Sequence, residues 1–241
     1  MKLLTFIGIA LLAGVISGLA YGTMNLLVVE PFIDQAIDIE IQNQINEGEQ
    51  VDMQQMAQHR VWQKGGQLVA GAILGVSFAS LYAIVYGYAR KSLPGSSDLR
   101  KSLLLASIVW LTIFMIPFLK YPGNPPVVGD PETIYYREAL YVAFIAISGL
   151  GALGFAFLYR KMSSISARKF IVPALYAAYI TAFYFAMPSN PDAITIPMEL
   201  VTNFRTMTVI TAAMFWAILG ITFGALWDKF KLHIGLRKTM D

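Results

Sequence analysis

REALYVAFIAISGLGALGFAFLY, running from Arg137 to Tyr159, is the stretch that decides how this chain folds. After Glu138 it carries no charge until Arg160. A helix rises about 1.5 Å per residue, so 22 residues cover roughly 33 Å, close to the ~30 Å hydrocarbon core of a bilayer. The same phrase recurs behind Arg60 and Arg205. In each copy a small residue follows at +15, phenylalanine at +18, leucine at +21 and Tyr or Trp at +22. The matched sets are Gly75/Phe78/Leu81/Tyr82, Ala152/Phe155/Leu158/Tyr159 and Gly220/Phe223/Leu226/Trp227. This pattern predicts an all-α integral membrane protein in which one helical hairpin is used three times, over 1–91, 100–161 and 168–230.

Composition agrees. The 241 residues are 56% hydrophobic and 14% charged, against about 25% charged in a soluble domain. Six apolar stretches stand out: Leu3 to Val29, Leu68 to Tyr88, Ser102 to Leu119, Ala139 to Tyr159, Phe170 to Met187 and Val209 to Trp227. Each approaches the ~17–25 residues of a spanning helix, and together they leave no room for a separate soluble domain.

Charge placement predicts the orientation. Thirteen of the 18 Lys and Arg lie in the N-terminus, the second and fourth loops and the tail, while loops one, three and five hold the rest with 12 of the 15 acids. By the positive-inside rule both termini are cytoplasmic and the acidic loops face outward, in a multi-pass protein of the cell membrane. The basic clusters flank helices and give no case for nucleic-acid binding. Lys2 and the apolar run after it have features of a signal peptide, but the run continues to Val29. Its face Gly14, Gly18, Gly22 forms a small-residue stripe, and the hairpin needs it as an arm, so it reads as a retained helix.

Lys101 to Arg137 and Lys169 to Arg205 are each 36 residues, whereas Lys2 to Arg60 is 58. The surplus falls around Asp34 to Gln58, where Ile33, Ile37, Ile41 and Ile45 predict a short amphipathic helix on the outer surface or capping the bundle. Loop three reads Pro122-Gly-Asn124-Pro, then Asp130-Pro-Glu132; loop five reads Pro188-Ser-Asn190-Pro, then Pro197-Met-Glu199. Proline fixes φ and removes a donor, so these loops are expected to be stiff and to hold Asn and carboxylate oxygens in place. The alternative is that Pro and Asn merely end helices. Glu132 before Arg137 and Glu199 before Arg205 read either as ion pairs locking loop to helix or as a ring at the mouth of a path.

The oxygens of Asn124, Asp130 and Glu132 suit hard or borderline divalent cations, and His59 adds an imidazole suited to Co, Ni or Zn, unless it is a plain interfacial residue. His233 reads as a surface residue of the tail. With two histidines, no HxxxH and no cysteine, no tightly bound metal cofactor is expected. Met115, Met187, Met198, Met207 and Met214 read as gap-fillers, and Gly71/Gly75/Ala79 and Gly149/Gly151/Gly154 as helix contact points. No G-x-S-x-G, H-E-x-x-H or phosphate-cradling loop is present, so no enzyme is expected.

The run Phe118-Leu-Lys-Tyr-Pro122-Gly-Asn124-Pro-Pro126-Val-Val-Gly129-Asp130-Pro131-Glu132-Thr133-Ile134, with Arg137, resembles the signature of the CbtA family of probable cobalt transporter subunits. Pro197, Leu200, Phe204-Arg205, Trp216 and Leu219-Gly220 are similar to that family's last-helix pattern. Pro31 to Glu40 and Arg60/Trp62/Gly65 resemble it more loosely, with Ile37 and Lys64 in place of an expected acid and proline. The resemblance implies a polytopic subunit for cobalt uptake, beside a small single-helix CbtB partner that carries histidines. On this reading Asn124, Asp130, Glu132, Asn190, Glu199 and His59 line an outer mouth, while Arg60, Arg137 and Arg205 orient the carboxylates. The competing reading is a non-transporting structural or assembly subunit of a larger membrane complex, favoured by the scarcity of polar groups within the spans.

Overall fold

The computed structural model describes residues 3–238, with side chains from 3 to 230; Lys2 and the His233 side chain lie outside the described residues. The described chain is helical without strands: α1 (Leu3–Met24), α2 (Glu30–Asn46), α3 (Met53–Ala89), α4 (Asp98–Trp110), α5 (Ile116–Lys120), α6 (Ile134–Lys161), α7 (Arg168–Ala186) and α8 (Met198–Lys238). Six of the helical runs are long and apolar enough to cross a membrane: Leu3–Asn46, Met53–Ala89, Asp98–Lys120, Pro131–Lys161, Arg168–Ala186 and Met198–Phe230. These contain the six apolar stretches of the sequence, apart from Met187 just past the end of α7.

Two runs contain a five-residue π turn, Asn25–Val29 and Leu111–Met115, and a proline follows each two residues later, at Pro31 and Pro117. The physical reason is common to both. A proline inside a helix lacks its N–H and its ring meets the carbonyl four residues back; widening the preceding turn to i→i+5 bonds relieves that conflict. Glu30 N–H accordingly donates to the Asn25 carbonyl, and Ile116 N–H to that of Leu111. The amphipathic helix expected in the first loop therefore exists as α2, with Ile41 buried, but it continues the first span instead of standing as a separate short helix.

The chain divides into two compact units, one of residues up to Ile108 with those from Glu199 onward, the other Val109–Met198. In the first, α1 and α3 meet backbone to backbone. A Cβ on Gly14 would lie 2.7 Å from the Gly75 carbonyl oxygen, one on Gly22 2.8 Å from that of Gln67, and one on Gly71 2.6 Å from that of Gly18. The small-residue stripes on both helices are the contact surfaces. Gly220 and Gly224 of α8 play the same part against α4, where Cβ atoms would come within 2.9 Å of Ala106 Cβ and 2.6 Å of Leu99 Cα. Around them Phe78, Tyr82, Phe223 and Trp227, all positions of the recurring phrase, join one aromatic cluster with Tyr86, Phe215 and Trp216. At the basic-loop end, buried Asp98 accepts from Tyr86 Oη at 2.8 Å and from the Arg90 guanidinium, while the Asp228 carboxylate caps the start of α4 through the N–H groups of Asp98 and Leu99 at 3.1 and 3.0 Å. Its hydrogen bonds with Asp98 raise the Arg90 pKa above an already high ordinary value.

In the second unit α6 packs on α5, the π turn before it and α7. Buried Ser148 shares a 2.8 Å hydrogen bond with Tyr176 Oη, and Phe155, third bearer of the +18 position, lies edge-on to that ring. Gly149 and Gly151 face Ile113 and Tyr179 closely, as contact points should. Gly154 does not: nothing lies within 4 Å of a Cβ placed there, so the third glycine of that group makes no helix contact.

Candidate functional site

In the second unit the third and fifth loops are bound to each other. Past α5, Lys120 donates to the Met187 carbonyl at 3.0 Å and Tyr121 Oη to that of Pro188 at 2.6 Å. Burial raises the Tyr121 phenol above its ordinary pKa. Val128 N–H then reaches the Pro125 carbonyl at 3.3 Å, closing a turn with Pro126 second and Val127 third, and Val127 has φ 85°. That is the position a type II turn normally gives to glycine, and a β-branched residue held there is strained by ~1–3 kcal/mol. Val127→Gly is expected to raise stability by about 1 kcal/mol, less than the full strain because glycine also loosens the unfolded chain; a melting curve of the purified protein in detergent checks it.

Gly129, φ 107°, follows. A side chain there would run into the Asp192 carboxylate and the Arg137 guanidinium, which is why the backbone passes so close. Arg137 Nε meets Asp192 Oδ2 at 2.7 Å, and Arg137 Nη2 donates to the Asp130 carbonyl at 3.2 Å. Thr133 Oγ1 completes the clamp, 2.9 Å from Asp192 Oδ1. The Asp192 side chain is 4% exposed. The carboxylate that Arg137 engages is thus Asp192 of the fifth loop, which sequence reasoning missed, and not Glu132. Its one sequence signal was its place directly after Asn190-Pro191.

Of the predicted oxygen donors, Asn124, Asp130, Glu132 and Asn190 belong to the two loops that this clamp joins. Asp130 Oδ1 accepts from Glu132 N–H at 2.8 Å and starts the short 3-10 turn Pro131–Thr133; Asn190 Oδ1 accepts from Asp192 N–H at 3.1 Å. Each therefore spends one oxygen on its own turn. The Asp130 and Glu132 side chains are exposed, and Asn124 and Asn190 half-buried. Glu199 and Arg205 belong to the first unit, the former exposed in the first turn of α8, where a carboxylate favours the helix dipole. His59 is exposed on α3, in a shallow hollow of about 540 Å³ with Gln55, Gln58 and Trp62. Among the described residues no three of His, Asp and Glu converge as metal ligands would.

A second polar cluster in the first unit was not anticipated. Glu30, 3% exposed, takes Arg60 on one oxygen and Gln67 Nε2 on the other. The same Arg60 Nη2 reaches Asp34 at 2.6 Å, and Lys64 reaches the other Asp34 oxygen at 2.7 Å. Glu30 reads in sequence as the first acid of a solvated loop; the π turn and the continuation of the helix bury it. The carboxylates that Arg60 holds, Glu30 and Asp34, are not among the donors named from sequence.

No curated protein and no solved structure matches this chain. A family model described as CbtA, probable cobalt transporter subunit, matches residues 3–228. Coverage of nearly the whole chain, together with six helices fit to span a bilayer, makes this a multi-pass membrane protein of the CbtA family.

Proposed function

We propose that this chain is the membrane subunit through which cobalt, or a divalent cation of like chemistry, is admitted to the cell, its acidic loops outward and its termini cytoplasmic. The observation that carries the reading is the family match over residues 3–228. Asn124, Asp130, Glu132 and Asn190, all of the second unit, form the mouth, and Arg137 holds its two loops together. Supporting that placement is the Arg137–Asp192 clamp, which holds two oxygen-bearing loops together. Exposed carboxylates on proline-stiffened backbone suit an ion that must be caught and let go; oxygen ligands with retained water bind such ions without trapping them. A small histidine-bearing CbtB-like subunit would add imidazoles to those of a chain with only two histidines.

Cobalt uptake into cells or reconstituted vesicles tests this. Asp130→Ala and Glu132→Ala are each expected to lower uptake several-fold, and the double variant about tenfold or more, at normal protein level in the membrane. Unchanged uptake in all three discards the mouth.

A further inference from the structure

A cavity of about 300 Å³ opens in the first unit where α1 passes into its π turn. Five of the residues lining it have oxygen-bearing side chains: Tyr21, Asn25, Glu30, Gln67 and Thr208. Two of them carry unusual chemistry. Glu30 is a carboxylate 3% exposed at the end of an apolar run, and Gln67 Oε1 is buried with no donor in reach. The amide cannot turn over to cure this, because its Nε2 already donates to Glu30 and a flip would set oxygen against carboxylate. A buried acceptor lacking a donor calls for water or a cation. Water takes about 30 Å³ per molecule in the liquid, so the cavity has room for an ion with part of its hydration shell.

We propose that this cavity is a second cation site, taking a partly hydrated divalent ion on the Glu30 carboxylate and the side-chain carbonyl oxygens of Gln67 and Asn25. It rests on the transport reading and adds a second station for the ion within the first unit. One carboxylate and two amides make an all-oxygen set that leaves the ion several waters, as a passing ion requires. Arg60 occupies Glu30 at rest, so the ion enters by exchange. The guanidinium can yield without being stranded: Asp34 lies 2.6 Å from its Nη2, and Gln63 Oε1 accepts from its Nη1 at 2.7 Å. A buried charge that loses its sole partner is strongly destabilised, and here a second carboxylate already stands by. Asp34 is in turn held by Lys64, which fixes it where Arg60 needs it.

Mn²⁺ alone, titrated into the full-length protein in lipid nanodiscs and read by electron paramagnetic resonance with Co²⁺ as competitor, tests the site. Glu30→Gln is expected to weaken binding there about tenfold or more, and Asn25→Ala several-fold with the Glu30–Arg60 pair intact. Asp34→Asn also weakens it, because Arg60 then has only Glu30 to hold. The exposed control Glu49→Gln leaves it unchanged. Asn25→Ala and Asp34→Asn keep the test alive should Glu30→Gln fail to fold. Wild-type protein that binds no Mn²⁺, or variants that all bind as wild type does, overturn the site. Cobalt uptake in vesicles separates the two readings. Glu30-dependent binding without uptake by wild-type protein upholds the site and removes the transport reading; uptake with binding unaltered in every variant does the reverse.

Discussion

Gly75→Ala is expected to cost this protein about 2–3 kcal/mol of stability, the upper part of the range for overpacking a close-packed contact. The added methyl has nowhere to go. It would press on the Gly14 carbonyl oxygen and lie 2.7 Å from Gly18 Cα, both of them backbone, so no side chain can turn aside to admit it. Relief requires α1 and α3 to part, and the contact is a ladder in which Gly14, Gly18 and Gly22 face Gly75, Gly71 and Gln67 in sequence. Parting at one rung loosens the others. Within a bilayer this matters more than in water, since close packing rather than the hydrophobic effect holds spanning helices together. Gly154→Ala supplies the contrast: it makes the same change at a helical glycine with nothing within 4 Å of the new Cβ. There the intrinsic preference of helices for alanine should dominate, leaving stability unchanged or higher by up to about 1 kcal/mol. Unfolding curves of both variants in one detergent decide the matter. Equal losses would mean that glycine is required for backbone freedom and not for close approach.

The same glycines show what the sequence could and could not reveal. Glycines spaced by four on α1 and α3 mark faces where backbones can touch, and both faces are used. Gly149, Gly151 and Gly154, spaced by two and three, also read as contact points, yet the last meets nothing, because small residues say what a helix can accept and not what its neighbour presents. The spans were legible for a simple reason: long uncharged runs have no other stable home. Their ends were less so. The first apolar run ends at Val29 in sequence, but the π turn that accommodates Pro31 lets the helix run on into α2 and draws Glu30 out of solvent. Asp98 and Asp228 carried no sequence signal of their roles: one is buried under Tyr86 and Arg90 and the other caps α4. At the outer loops, residue type was informative and pairing was not. Arg137 has Glu132 a few positions away, but takes a carboxylate from another loop because the backbone bend at Gly129 brings Asp192 to it.

That choice of partner leads to the expectation for Arg137→Met, which keeps the aliphatic stem and removes the charge. Asp192 is then a nearly buried carboxylate with Thr133 as its remaining side-chain donor. Removing one member of a buried pair costs about 3–5 kcal/mol, mostly from the stranded charge; Arg137 is itself 23% exposed, so the lower end, about 3 kcal/mol, is expected. Asp192→Asn costs less, because Arg137 keeps its bond to the Asp130 carbonyl and some access to water. The double variant Arg137→Met with Asp192→Asn should then be more stable than Arg137→Met alone, since it deletes the charge that the single change strands. A thermodynamic cycle of the four proteins reads this as a coupling of about 1–3 kcal/mol between neighbouring sites. Additive losses would show that the ion pair contributes nothing of its own and that the loops are joined by Tyr121, Lys120 and proline geometry instead. The cycle also bears on transport. If the clamp sets the spacing of Asp130 and Asn190, cobalt uptake should fall in Arg137→Met and stay low in the double variant even where stability is regained, because neither protein restores the bond that holds the fifth loop against the third.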